Sequence, residues 1–140
     1  MTQLHHIKAP QHMAYYDGDI AINLTFSFTT NNRIFFPNGQ HLDLHHHTYT
    51  FDISIQCPVN KYGLGIDFYK IERDYAQHIA PLLNAPILNE ALPEMNTTVE
   101  NIAYFIWQQF DQIINEGTIK KLTVYETHNH SVTLTEDMIK

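Results

Sequence analysis

The stretch from His47 to Cys57 alternates apolar and polar side chains without interruption. A period of two sends successive side chains to opposite faces of an extended chain, so this pattern predicts a β-strand with one buried face. The positions on the apolar face are His47, Tyr49, Phe51, Ile53, Ile55 and Cys57. Because His45 has the same parity as His47, we expect both imidazoles on the apolar face and His46 on the other.

Other patterns predict the elements around this strand. Alternation from Ile20 to Thr29 predicts an earlier strand. Asp67 is a typical N-cap, and the apolar spacing after it predicts a helix that frays or kinks at Ala80, because Pro81 follows. Residues 85–95 are expected to form a loop, since they contain two prolines.

A second helix and two further strands complete the predicted order. Thr97 and Glu100 fit a capping box, with Thr97 as the cap, and Gly117 is expected to close that helix. Alternation over 121–126 and 132–134 predicts two more strands. The order ββααββ indicates an α+β fold with an antiparallel sheet. We expect one domain over residues 20–140, preceded by an irregular arm over residues 1–19.

Composition narrows the possible partners. The chain has 140 residues, a hydrophobic fraction of 44% and a formal net charge of −7, with only 8 Lys and Arg. This acidic balance argues against a nucleic-acid or anionic-membrane partner. The chain contains neither an apolar leader nor a stretch long enough to span a membrane, so a cytoplasmic protein is the expectation. The single cysteine, Cys57, is predicted to be a core thiol.

Three histidines form the first candidate site. His41, His45 and His47 together provide the ligand type and number typical of catalytic zinc, with an open position for water or substrate. Asp43 is a candidate outer-shell acceptor. The alternative is that backbone carbonyl groups satisfy the three imidazoles at the end of a strand.

Glu126 forms the second candidate site. It has the parity of Leu122 and Val124, and a carboxylate on an apolar face is rare unless it is paired. A ligand with two adjacent N–H donors, such as the amino-pyrimidinone edge of a pterin or guanine, would satisfy both carboxylate oxygens. The alternative is an exposed strand end or a bond to neighbouring backbone.

Four motifs in order resemble those of the 6-pyruvoyl-tetrahydropterin and 6-carboxytetrahydropterin synthase family. They are His45-His46-His47, where the family has His-Gly-His, then Gly65 to Phe68, Thr98 to Asn101, and Val124 to Thr127. The resemblance covers about Thr25 to Leu134. It implies a tunnelling fold (T-fold), in which a four-stranded antiparallel sheet carries two helices on one face. Subunits of that fold assemble into a barrel, as trimers or hexamers.

The same resemblance implies functional roles for particular residues. Glu126 would anchor a pterin or a purine-derived ring, and Thr98 and Glu100 would contribute to substrate binding. Zinc would be held by His45, His47 and the residue at position 32. The activity implied is a lyase reaction on a dihydroneopterin triphosphate-like substrate, in tetrahydropterin or queuosine (7-deazapurine) biosynthesis.

Several residues depart from the family pattern. Asn32 occupies the first-strand ligand position, and an amide oxygen is a poor zinc ligand beside imidazole. His41 stands in place of the catalytic cysteine, and the family's Asp-His pair is missing before Leu88 and Asn89. His41 is therefore a candidate either for the catalytic base or for the missing metal ligand, but not for both. A metal-bound nitrogen cannot accept a proton.

Three functions follow as alternatives. The first is a metal-assisted lyase with altered catalytic groups. The second is a pterin-binding or purine-binding relative without the standard synthase activity. The third is a structural oligomer with neither ligand nor metal. General acid–base groups typically contribute about 10²–10⁴-fold each, so the standard reaction is expected to be very slow here.

Overall fold

The computed structural model describes residues 2–139. Its strands and helices, in chain order, are β1 (Asp19–Phe35), β2 (His41–Pro58), α1 (Phe68–His78), α2 (Ala80–Leu83), α3 (Leu88–Ala91), α4 (Val99–Ile113), β3 (Thr118–Thr127) and β4 (His130–Thr135). A short 3₁₀ turn over Glu136–Met138 follows β4. No helix within the described residues has the length and hydrophobicity needed to cross a lipid bilayer.

The four strands form one antiparallel sheet in the order β1-β2-β3-β4. The first two are long, 17 and 18 residues, and pair along almost their whole length. Both therefore extend beyond the short strands β3 and β4 at the end where the β1–β2 hairpin turns. That projecting end forms one wall of the cavity described below.

One face of the sheet carries the hydrophobic core. Alternate residues of the strands, such as Phe28, Phe51 and Val124, pack with α1 and α4 in a single buried cluster. The opposite face is lined by hydroxyl and carboxyl groups, for example where Thr25 donates to Asp52 over 2.6 Å. These two faces confirm the predicted α+β class with the helices on one side of the sheet. Cys57 is a buried free thiol, as predicted.

Two helix signals act as expected. The Asp67 carboxylate accepts a hydrogen bond from the Tyr69 backbone N–H and begins α1. The helix is interrupted at Ile79, whose φ of −111° departs from helical geometry, and α2 resumes with Pro81 in its first turn. Proline lacks a backbone N–H and is tolerated there.

Three details of the prediction are wrong. The stretch predicted as loop contains the short helix α3. The N-cap of α4 is Thr98 and not Thr97, because Thr98 Oγ1 accepts the Asn101 N–H over 3.2 Å. Gly117 does not close the helix, which ends at Ile113. Gly117 instead allows close approach to β2, since a Cβ there would lie 2.6 Å from the Gln56 carbonyl oxygen.

Candidate functional site

A cavity of about 910 Å³ lies between the projecting end of the β1–β2 hairpin and the segment over residues 87–96. This volume is within the range of small-molecule sites. The apolar residues of its lining are Phe35, Leu44, Ile87, Pro93 and Met95, and the polar ones are Asn31, Asn32, Arg33, Asp43, His45, Asn89, Glu90, Glu94 and Asn96. We call it the site cavity.

Three asparagines attach the outer wall of the site cavity to the edge of β1. The amides of Asn89 and Asn96 each accept from a β1 backbone N–H and donate to the carbonyl of that residue, at distances of 2.8 to 2.9 Å. Asn84 accepts the Thr29 N–H over 3.1 Å. We call these residues the asparagine clamp. Side-chain amides thus take the place that a neighbouring strand would take along residues 29–35.

A β-bulge interrupts β2 at the histidine run. Thr30 pairs with His47 and Asn32 pairs with Leu44, so His45 and His46 together oppose a single β1 residue. His46 has a φ of +48°, a left-handed conformation that glycine adopts without steric cost. Its backbone N–H donates to Asn31 Oδ1 over 2.6 Å, so the unpaired group of the bulge is satisfied.

The buried side chain of Asn32 is held by hydrogen bonds on both sides. Asn32 is 4% exposed, and its Nδ2 lies 3.0 Å from the Thr97 carbonyl oxygen, 3.2 Å from Thr97 Oγ1 and 3.0 Å from the Tyr49 hydroxyl. The Tyr49 hydroxyl also lies 3.3 Å from Asn32 Oδ1. Thr97 Oγ1 in turn donates to the Arg33 carbonyl over 3.2 Å. We call Asn32, Tyr49 and Thr97 the Asn32 network.

His47 and Glu126 meet beside this network. His47 Nε2 lies 2.6 Å from the Glu126 carbonyl oxygen, and its ring packs edge-on against Tyr49 at a centroid distance of 4.6 Å. Glu126 is the extra residue at a register shift between β3 and β4, and it is half-buried. The bulge leaves its carbonyl free of the strand ladder and available to His47.

The Tyr49 hydroxyl remains protonated in this environment. Burial raises the pKa of Tyr49 to about 12, the hydrogen bond with Asn32 acts in the opposite direction, and the negative charge of Glu126 raises the pKa further. His47 thus joins this end of the sheet to Glu126, because its ring packs on Tyr49 and its Nε2 bonds the Glu126 carbonyl oxygen.

Comparison with known proteins identifies the family. The sequence model for 6-pyruvoyl tetrahydropterin synthase matches residues 21–137. This chain belongs to the 6-pyruvoyl tetrahydropterin synthase family. No curated protein sequence matches it.

Solved structures share the fold at low sequence identity. The 6-pyruvoyl tetrahydropterin synthase of Caenorhabditis elegans aligns with a TM-score of 0.70 at 15% identity, over 86% of this chain and 98% of that one. The enzyme from Plasmodium falciparum aligns with a TM-score of 0.66 at 15% identity, over 84% and 98%. An uncharacterized protein from Wolinella succinogenes aligns with a TM-score of 0.64 at 10% identity, again over 84% and 98%. These matches confirm the predicted T-fold.

Within one chain of the present protein, His41 lies far from His47. Its cross-strand partner is Phe35, whereas that of His47 is Thr30. At roughly 3.3 Å per residue, these positions are about 17 Å apart along the hairpin. The neighbouring inner position belongs to Leu42, which pairs with buried Ile34, so His41 also lies on the other face of the sheet. The predicted ligand set of His41, His45 and His47 is therefore not brought together in one chain.

The bulge also changes the position of His45. The inner-face residues of β2 around it are Leu44 and His47, since these pair with buried Asn32 and Thr30. The strict alternation that predicted His45 beside His47 stops there. His45 is exposed and lines the site cavity.

The remaining predicted substrate residues begin α4. Thr98 caps the helix through its hydroxyl, and it follows Thr97 of the Asn32 network directly. Glu100 is exposed on the first turn. Glu126 is the predicted substrate residue whose backbone contacts His47.

The residues present in this chain do not fit the zinc ion that the family resemblance implies. Within residues 2–139, no three His, Cys, Asp or Glu side chains are grouped so that they would hold a metal ion. Both ends of the Asn32 amide are engaged in hydrogen bonds. That leaves two imidazoles, whereas catalytic zinc sites have three protein ligands.

An ion pair on the cavity wall completes the electrostatics. Arg33 Nε and Nη2 donate to the two oxygens of Asp43 over 2.6 and 2.9 Å. Their hydrogen bond is the main cause of the lowered pKa of Asp43 and the raised pKa of Arg33. Asp43, predicted as an outer-shell acceptor for metal-bound histidine, is instead paired with arginine.

Sequence reasoning missed Tyr49, Thr97 and the asparagine clamp. The alternation correctly predicts Tyr49 on the inner face. The signal for its role is that the hydroxyl of a buried tyrosine needs a hydrogen-bond partner. Asn84, Asn89 and Asn96 recur over residues 84–96, and this recurrence of amides is the available signal for the clamp.

Proposed function

We propose that this chain is a ligand-binding member of its family that binds a pterin or a related purine-derived ring through Glu126. The observation that carries the proposal is the position of Glu126, half-buried at a strand bulge, with its carbonyl oxygen bonded by His47, whose ring packs on Tyr49. Family membership supports the same class of ligand.

The chemistry of the carboxylate matches such a ring. An amino-pyrimidinone edge presents two adjacent N–H donors, and an ionised carboxylate accepts both in parallel. Glu126 has no hydrogen-bonded cation among the residues described, so its oxygens are available to a ligand.

Within one chain, the groups for the family's standard reaction are not assembled. His41, the candidate base, lies at the hairpin end on the opposite face of the sheet from His47. We therefore propose binding without the standard synthase activity, and we keep a lyase with altered catalytic groups as the alternative. Incubation with dihydroneopterin triphosphate separates the two. Product formation that is lost in His41→Ala would establish the alternative.

Titration with a fluorescent pterin tests the binding proposal. Glu126→Gln keeps the shape of the side chain but replaces an acceptor with a donor, so we expect affinity to fall about 10- to 100-fold. Glu72→Gln, an exposed change on α1, is the matched control and should leave affinity unchanged. Equal and weak binding by all three proteins would contradict the proposal and favour a purely structural oligomer.

We also propose that the protein forms a homo-oligomer, a trimer or a hexamer. The edges of the sheet are β1 and β4, and the asparagine clamp covers only residues 29–35 of β1. Unpaired strand edges are surfaces on which another strand can add. Light scattering coupled to size-exclusion chromatography tests this, and a monomer across the accessible concentration range would contradict it.

A further inference from the structure

The Asn32 network occupies the position where the family resemblance implies a zinc ligand. We infer that in this chain the network replaces the metal, and that ligand binding at Glu126 is independent of metal. The part of this inference that concerns ligand binding rests on the proposed function. The part that concerns the metal does not.

The first step is the orientation of the Asn32 amide. The Thr97 carbonyl oxygen is only an acceptor, so the amide group 3.0 Å from it must be the NH₂. The Asn32 oxygen therefore points towards Tyr49, whose hydroxyl lies 3.3 Å away. The opposite orientation would place Asn32 Oδ1 against the Thr97 carbonyl oxygen, and both atoms are acceptors. The Asn32 amide is thus held in this orientation by Thr97 and Tyr49, with its oxygen directed at the Tyr49 hydroxyl.

The second step is the protonation of His47. Its Nε2 lies 2.6 Å from the Glu126 carbonyl oxygen, which also only accepts, so Nε2 carries the hydrogen. Only Nδ1 retains a lone pair, and at most one ligand comes from this ring. His45 is displaced by the bulge and faces the site cavity.

The third step is the cost of admitting a metal. To turn Asn32 Oδ1 towards a cation, the buried amide would have to give up the bonds of its Nδ2 to the Thr97 carbonyl oxygen and the Tyr49 hydroxyl. Buried polar groups left without a partner are destabilising. An amide oxygen recovers little of this, because it is a weak zinc ligand beside imidazole. The hydrogen bonds of the Asn32 network thus oppose the binding of a zinc ion at this position.

The metal content of the protein tests the inference directly. The full chain is stripped with EDTA, equilibrated with zinc, and freed of unbound metal before elemental analysis. We expect substoichiometric zinc, unchanged in His47→Ala. One zinc ion per chain that is lost in both His45→Ala and His47→Ala would overturn the inference.

Ligand binding supplies a second readout. Pterin affinity of the wild-type protein is compared in EDTA and in zinc, and we expect the two dissociation constants to agree within about twofold. A tightening of tenfold or more with zinc, abolished in His47→Ala, would overturn the inference. If no pterin binds under either condition, the proposed function fails, but the zinc content still decides whether the network has replaced the metal.

Discussion

Two buried tyrosines on the inner side of the sheet have similar exposure but different surroundings. Tyr49, at the site end of β2, exchanges hydrogen bonds with Asn32. Tyr75, on α1, packs among Phe26, Phe51 and Phe110, and its hydroxyl has no hydrogen-bond partner among the residues described. Burial is the main cause that raises the pKa of each to about 12.

The contrast separates two kinds of polar group in this fold. The hydroxyl of Tyr75 adds nothing to the packing of its ring and is a cost to stability. The hydroxyl of Tyr49 belongs to a network that joins β1, β2 and the start of α4, so it fixes the wall between the site cavity and Glu126. The polar groups at the site end of the sheet are thus joined by hydrogen bonds, whereas the Tyr75 hydroxyl in the core is not.

Removing the centre of the network should have the largest effect. Asn32→Ala deletes a buried amide, removes the partner of the Tyr49 hydroxyl and of the Thr97 carbonyl oxygen, and creates a cavity, so we expect the free energy of unfolding to fall by about 3 kcal/mol. Urea denaturation measures this change. A loss below about 1 kcal/mol would mean that the network does not stabilise the fold.

The two tyrosines should respond in opposite directions to loss of the hydroxyl. Tyr49→Phe should destabilise the protein by about 1–2 kcal/mol, because Asn32 loses a partner, whereas Tyr75→Phe should stabilise it by about 1 kcal/mol. Each variant is the control for the other, since both remove the same atom. Equal changes of one sign in thermal unfolding would remove the distinction between the two regions.

Alkaline pH should test the same pair without a change of shape. Each tyrosine has a higher pKa when folded, about 12, than the ordinary value of about 10. The free energy of unfolding is therefore unaffected by these groups below about pH 10 and falls as the pH rises towards 12, by about 1.4 kcal/mol per pKa unit, or about 3 kcal/mol per tyrosine. Each Tyr→Phe variant should remove part of this dependence. A wild-type stability that stays constant over this range would contradict the expectation.

The smallest effect is expected at the bulge. His46 has a φ of +48°, where a side chain is strained and glycine is not. Relief of this strain in His46→Gly should raise the free energy of unfolding by about 0.5–1 kcal/mol. The greater conformational entropy of glycine in the unfolded chain subtracts from this gain. His46→Ala keeps a Cβ and should give no such gain. If alanine and glycine stabilise equally, backbone strain is not the cause.

The sequence predicted the parts of the fold that depend on periodicity. Alternation from Ile20 and from His47 identifies both long strands, and Pro81 identifies the break between α1 and α2. These signals are local, and the buried core imposes the same pattern on the chain. Helix ends were less certain, because Thr97 and Thr98 are both competent caps and only the demand of Asn32 for partners decides between them.

The site was less predictable, because one bulge changes which side chains share a face. His45 and His46 oppose a single β1 residue, and the run of three histidines does not itself signal the left-handed conformation of His46. The signal is the glycine that the family pattern has at this position. The shift moves His41 to the outer face and gives the inner positions to Leu42 and Leu44. Glu126 lies at a second register shift, between β3 and β4, where it is half-buried and its carbonyl oxygen bonds His47.

The most direct test of the account is a crystal structure of the protein grown with zinc and a pterin, with anomalous data recorded at the zinc edge. The account predicts a ring bound edge-on to the Glu126 carboxylate, an intact Asn32 network, and no anomalous peak between Asn32 and His47. An anomalous peak coordinated by His45 and His47, with Asn32 withdrawn from Tyr49, would contradict it.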